Sequence, residues 1–420
     1  MNSALFRKNI LVFVGLFVCF EVVVTLRNFS VHLGDLQVYY DLSKNIVVNR
    51  LVPYHDFRLE YPPFAILTML FPQLLCQIGD TGFDGFVVFF ALQNIIFGFY
   101  TGRVAFKIAN TFLEESKVQE IRLIYWVLWV ISLPIFLFRY DAFVTFSTIL
   151  VVYYVVKQSP TASGVWLAVG IFAKLYPIVF VAPIIFYYFV NKQYRFLGLF
   201  LGGVSVISAF TIVGMYFLVG EDVLSFLKYH HVRGIQLESL VGGWLVLWNK
   251  IVGTPLQTIA NFGAIHLVTP LTRPLLKALS WGFPVAYLLV LGIIYLFFQK
   301  QNRVSTEMLL IAFGAVLLLF LVSNKVFSPQ YLIWLLPFIP FLRPTIIYCF
   351  AAAFIFTIVI YPGSYHRLVE MKLLWVIMLN LRNGLIVAML MLALFSMPFL
   401  NRININLKRK NIWESSKRIL

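Results

Sequence analysis

Residues 196–218 read FLGLFLGGVSVISAFTIVGMYFL, 23 positions without one charged side chain. About 20 such residues suffice to cross hydrocarbon as a helix, the conformation that satisfies every backbone polar group internally. Comparable apolar runs occupy 10–27, 86–104, 122–138, 142–156, 161–174, 176–190, 278–298, 306–322, 331–342, 345–361 and 384–400. Composition agrees: of 420 residues 61% are hydrophobic, 17% aromatic and only 12% charged, with a mean hydropathy of +0.89. That is more apolar surface than one water-soluble core can hide. The expected fold is therefore all-α, a polytopic membrane bundle of about 12 transmembrane helices with short external helices, forming one domain over 1–420 with no separate soluble part.

Charge orients this bundle. Residues 64–78 (FAILTMLFPQLLCQI) are also apolar, and whether they cross sets the parity of everything downstream. If they are re-entrant, Arg103, Lys107, Lys117, Arg122, Lys157, Lys192, Arg195, Lys300, Arg303, Arg343 and the basic tail 401–420 fall on the cytoplasmic side with Arg7 and Lys8. Both termini are then cytoplasmic, and loops 28–62 and 219–277, with all six histidines, lie outside. Segment 10–27 holds Glu21 and lacks a small-x-small cleavage site, which reads as a retained anchor rather than a signal peptide. The net charge of +16, from 33 Lys and Arg against 17 Asp and Glu, is accounted for by topology, so the lipid bilayer and not nucleic acid is the expected partner. Cys19, Cys76 and Cys349 are far apart and apolar in setting, unlike a disulfide framework or a zinc site.

The chemistry concentrates in the external segments. Loop 28–62 spends 35 residues before the next apolar run and holds Asp35, Asp41, Asp56 and Glu60 among Tyr39, Tyr40, Tyr54 and Tyr61. Carboxylates among aromatic rings suit a sugar and the removal of a proton from a hydroxyl. Asp35 has a structural alternative as N-cap of a helix over 36–48, where Leu36, Val38, Tyr39 and Leu42 share one face. Four further clusters on the same predicted side interrupt apolar sequence: R-Y-D at 139–141, A-K-L-Y-P at 173–177, K-Y-H-H-V-R-G-I-Q-L-E-S-L at 228–240 and S-N-K-V-F-S-P-Q-Y at 323–331. Ionisable groups are costly there unless paired, solvated or functional. Arg139, Lys174, Arg233 and Lys325, with His230 and His231, form a basic rim suited to a lipid phosphate, although local pairing of Arg139 with Asp141 would serve structure alone. Asp141, Glu238, Gln330 and Tyr331 are the remaining substrate-binding candidates beside Tyr39, Asp41, Glu60 and Tyr61.

Taken in order, G-D-L-x-V-Y-Y, E-Y-P-P-F, R-Y-D-A-F, A-K-L-Y-P, Y-H-H-V-R-G-I-Q-L-E-S-L and S-N-K-V-F-S-P-Q-Y-L-I-W-L-L-P resemble glycosyltransferase family 87 over roughly residues 30 to 340. This is a family of the GT-C superfamily and is similar to polyprenyl-phosphate-mannose-dependent α-mannosyltransferases. The resemblance implies an inverting transfer of a hexose, mannose by default, from a polyprenyl-phosphate sugar donor to a glycolipid or glycan acceptor on the non-cytoplasmic face. It implies Asp35 as general base and the basic rim as the seat of the departing phosphate. Asp35 and Asp41 do not form a D-x-D and no Gly-rich phosphate loop occurs, so the sequence requires neither metal nor other cofactor. A carrier or flippase of lipid-linked saccharides would need the same rim but no base. An envelope polysaccharide ligase or polymerase would differ mainly in its donor.

Overall fold

The computed structural model describes residues 24–25, 29–301 and 303–417, with side chains as far as residue 397 apart from His230 and His231. The anchor expected at 10–27 lies almost wholly outside the described residues. The rest is an all-α polytopic bundle, and the chain is a multi-pass membrane protein. Among the described residues six helices are long and apolar enough to cross a membrane, and six shorter apolar helices accompany them. Thr306–Ser323 runs buried through the centre, whereas Tyr194–Val219 and Thr272–Gln299 turn large apolar side chains such as Phe210, Phe217, Leu288 and Leu289 outward, as a lipid-facing helix must.

The apolar runs predict most helices to within several residues: 86–104 is the core of Gly82–Ala109, 142–156 is Asp141–Val156, and 306–322 is Thr306–Ser323. Segment 331–342 is different. It is built of two 3₁₀ pieces, Pro329–Leu335 and Ile339–Phe341, because Pro337 and Pro340 remove donors and clash with the preceding turn of an α-helix. The piece is buried inside the bundle, with Trp334 stacked on Tyr176 at 4.0 Å. The final helix begins at Leu373 rather than 384, since Asn380, Arg382 and Asn383 turn inward instead of ending it.

Two ends of the bundle can be told apart. At one end Asn191 hydrogen-bonds both backbone groups of Val304, at 2.9 and 3.2 Å, and Phe112 meets Phe341. The other end gathers Asp35, Arg139, Lys174, Arg233 and Lys325. Helix Leu67–Gly79 leaves from Pro62 at this second end and lies antiparallel to the start of Gly82–Ala109, with Gln93 Nε2 donating to the Thr68 carbonyl at 3.0 Å. Asn94 then donates to the carbonyls of Leu137 and Arg139, at 2.8 and 3.1 Å, so the chain is back at the level of the basic turn. Segment 63–79 therefore does not carry the chain to the opposite end.

Loop 219–277 folds into more than connections. It contains helix Leu240–Val252 and a small sheet of strands β1 (Ile235–Gln236), β2 (Gln257–Asn261) and β3 (Ala264–Val268), in the order β1-β3-β2, all antiparallel. Strands β2 and β3 pair Asn261 with Ala264, leaving Phe262 and Gly263 as a two-residue turn with φ of 50° and 64°. Positive φ at both positions is the turn whose twist matches a hairpin.

Helix Pro160–Ala173 packs against Tyr194–Val219 through backbone-to-backbone approach: a Cβ on Gly164 would strike the Phe200 carbonyl, and one on Gly203 the Thr161 carbonyl. Small residues permit this closeness between membrane helices. Gly164→Val and Gly203→Val are each expected to cost about 1–3 kcal/mol through overpacking against backbone that cannot retreat. Gly198→Val and Gly202→Val, where an added Cβ meets nothing within 4 Å, are the controls. Thermal unfolding in detergent measures both pairs, and equal effects at all four sites would refute the contact.

Candidate active site

Helix Phe29–Val47 buries His32, Leu36, Tyr39 and Ser43 as one stripe at helical spacing, and Asp35 stands beside that stripe with its side chain half exposed. Because the helix starts at Phe29, Asp35 lies in its interior and is not the N-cap of 36–48. Its carboxylate pairs with Arg139, which is 3% exposed. Arg139 also donates to the Phe138 carbonyl at 2.9 Å and to the Tyr361 hydroxyl at 2.6 Å. Both terminal nitrogens of the guanidinium are thus engaged, and its charge is met by a carboxylate, as a buried cation requires. His32 packs against Phe138 and Tyr361, at 4.8 and 5.9 Å between ring centroids, and burial with the nearby Arg139 charge pulls its pKa down to about 3, so it is neutral.

Asp141 is fully buried at the first turn of its helix, where the helix dipole favours a carboxylate. Lys174 Nζ reaches it at 2.7 Å, and Trp334 Nε1 donates to the same oxygen. The ammonium sits among the rings of Tyr140, Trp334 and Tyr331, at 4.6, 5.3 and 5.7 Å from their centroids, an arrangement that holds a cation by its charge on aromatic faces. The local pairing of Arg139 with Asp141 does not occur: each finds its partner on a distant segment, because the helix turn between them points the two side chains apart.

Three cavities meet at Asp35 and Gly263, which line all of them. One, of about 290 Å³, is walled by Lys174, Arg233 and Lys325 with Tyr39, Tyr61, Tyr140, Gln330 and Tyr331. A second, of about 450 Å³, is lined by Arg139, Gln236, Glu238, Gln330, Tyr361 and Tyr365. The third, of about 1070 Å³, opens past His55, Asp56, Arg58 and Lys228. Glu60 lines the first and third and hydrogen-bonds Tyr61 and Tyr229, while the Arg233 guanidinium lies 5.7 Å from the Tyr229 ring centroid.

The chain thus brings together Asp35, Tyr39, Glu60, Tyr61, Lys174, Arg233, Lys325, Gln330 and Tyr331, with Arg139 and Glu238 on the adjoining wall. Asp141 is held behind that wall. Asp41 is left out: it faces outward and accepts from Gln37 at 2.9 Å. The side chains of His230 and His231 lie outside those described. Sequence reasoning missed Gln236, Tyr361, Tyr365 and Arg382. Arg382, buried in an apolar helix, carried the clearest signal, since an ionisable residue in such a helix marks a site by itself. Among the described residues no three His, Cys, Asp or Glu side chains converge as a metal site would need.

Removing one partner of a buried ion pair leaves an uncompensated charge. Lys174→Ala is expected to cost about 3–5 kcal/mol, whereas the double variant Lys174→Met with Asp141→Asn recovers more than half of that loss. Denaturant midpoints in detergent test this, and additive losses would show that the pair is not coupled.

No family model matches the chain. It is similar to GPI mannosyltransferase 1 of Candida albicans, with 26% identity over 324 residues that cover 73% of either chain.

Proposed function

We propose that the chain is a membrane mannosyltransferase that moves its sugar from a polyprenyl-phosphate donor to a glycolipid or glycan acceptor at the external end of the bundle. The observation that carries this reading is the position of Asp35, a carboxylate at the junction of cavities, one of which holds three cationic side chains. The likeness to a mannosyltransferase supports the class of reaction and the sugar.

In this reading the acceptor hydroxyl loses its proton to Asp35 as its oxygen bonds to the anomeric carbon. The bond from that carbon to the phosphate oxygen breaks, and the phosphate leaves with the electron pair. Arg139 occupies one carboxylate oxygen of Asp35, which orients the group and leaves the second for the proton. Lys174, Arg233 and Lys325 meet the negative charge on the departing phosphate, where fixed cations act with little reorganisation. No cofactor is assigned a role. A carrier of lipid-linked saccharides would use the same cations, but it would have no work for a carboxylate at the cavity junction.

Asp35→Asn keeps shape and removes basicity, so transfer from polyprenyl-phospho-mannose by the purified protein is expected to fall about 10²–10⁴-fold with donor binding retained. Near-normal transfer by this variant would remove Asp35 from the chemistry, and an absence of transfer by the wild-type protein would turn the reading towards a carrier. Reporters fused near Arg139 and Lys325 are expected to report the external side, and a cytoplasmic signal at either would invert the orientation.

A further inference from the structure

The cavities flanking Asp35 differ in the charge they offer. The 290 Å³ cavity has Arg233, Lys325 and Lys174, the last paired with Asp141, on its wall, against the carboxylates of Asp35 and Glu60. The 450 Å³ cavity has one cation, Arg139, already committed to Asp35 and Tyr361, and opposes it with the carboxylate of Glu238. Cations outnumber carboxylates on the wall of the first cavity, whereas Asp35 and Glu238 outnumber Arg139 on that of the second, so a phosphate is favoured in the first. Apart from Asp35 at the junction, the remaining polar lining of the second cavity is neutral: Gln236, Asn261, Ser328, Gln330 and the hydroxyls of Tyr361 and Tyr365.

Glu238 is also built in. It is 3% exposed, and its neighbour Gln236 2%. Gln236 Nε2 donates to its carboxylate at 3.2 Å, Tyr365 hydrogen-bonds it, and the Arg382 guanidinium donates to its backbone carbonyl at 2.6 Å. Ser239 beside it caps helix Leu240–Val252, accepting from Gly242 N at 3.0 Å, and its carbonyl accepts from Asn383 at 3.2 Å. The Gln236 side chain is tied to the other wall, because its Oε1 accepts from Phe327 N at 3.0 Å. Burying a carboxyl and an amide costs free energy that an apolar pair would not, and both line a cavity large enough for a sugar ring.

Resting on the proposed function, we propose that the 450 Å³ cavity is the acceptor subsite, taking a hydroxyl-rich, phosphate-free sugar unit whose hydroxyls bond Glu238 and Gln236. The donor phosphate is confined to the cationic cavity on the other side of Asp35. An inverting displacement needs nucleophile and leaving group on opposite sides of the anomeric carbon, and Asp35, Ser328 and Gln330 line both cavities, so the reacting centre has a place between them. Burial, opposed by the Arg382 charge and the hydrogen bonds from Tyr365 and Gln236, pushes Glu238 up to about 7. Near neutrality this carboxyl is present both as a donor and as an acceptor of hydrogen bonds to hydroxyls.

The test is a split in Michaelis constants, with polyprenyl-phospho-mannose as donor and total lipid extract of the source cells as acceptor. Glu238→Gln is expected to raise the KM for the extract about tenfold, while the KM for the donor moves less than twofold. Ala264→Trp, which narrows only this cavity, is expected to give the same split should Glu238→Gln fold poorly. Lys325→Ala is expected to give the reverse, a raised KM for the donor. A donor KM that rises as much as the extract KM in Glu238→Gln and Ala264→Trp overturns the subsite while leaving the transferase reading intact, as does an unchanged extract KM in both. A wild-type protein that transfers nothing from this donor overturns both.

Discussion

A guanidinium buried to 3% exposure at the end of a membrane bundle has to be paired, and the pairing of Arg139 is what the rest of the site depends on. Its partners come from three separated places: Asp35 on helix Phe29–Val47, the carbonyl of Phe138 in its own turn, and the hydroxyl of Tyr361 after helix Pro344–Ile360. The turn itself is fixed by Asn94, which binds its carbonyls from another helix. Two residues on, Asp141 repeats the device in the opposite sense, joining Lys174 and Trp334. Such pairs contribute little net stability against well-packed apolar residues, but losing one partner is costly. Their effect is to decide which segments meet, and the segments they bring together carry the carboxylate and the cations.

The sequence made the membrane bundle legible because apolar runs of sufficient length have few alternatives in lipid. It also marked most of the site, for a simple reason: Arg139, Lys174, Arg233 and Lys325 each interrupt apolar sequence, and at every such place the side chain proved to line or adjoin the same group of cavities. Pairing was not legible. Arg139 and Asp141 are neighbours in the chain, yet each is bonded across the fold, and nothing local encodes that choice. The break at 329–341 was written in Pro337 and Pro340 but masked by the surrounding apolar residues. The hairpin of β2 and β3 was hidden because its turn, Phe262–Gly263, has Phe where Asn or Asp usually signals positive φ. Tyr361 and Tyr365 stand in a polar stretch, YPGSYHRLVEMK at 361–372, and Arg382 in the helix after it, but nothing local says that this part of the chain folds back onto the turn of Arg139.

That unusual turn bears on how the site is closed. A left-handed conformation at Phe262 costs about 1–2 kcal/mol that Asn or Gly would largely avoid. It persists where surrounding contacts determine it. Here the Phe262 ring meets Tyr229 edge-on at 5.2 Å and His266 at 6.2 Å, and the turn lies against the cavities that converge on Asp35. Gly or Asn at the tip would relieve the backbone but lose the ring that stands between the cationic cavity and the wider cleft beside His55 and Lys228. A reaction that forms a good electrophile at the anomeric carbon must keep bulk water from competing with the acceptor, and a backbone turn carrying an aromatic ring is a means of doing so with little polar surface of its own. In the proposed reaction the local strain and the exclusion of water would be two consequences of the same residue.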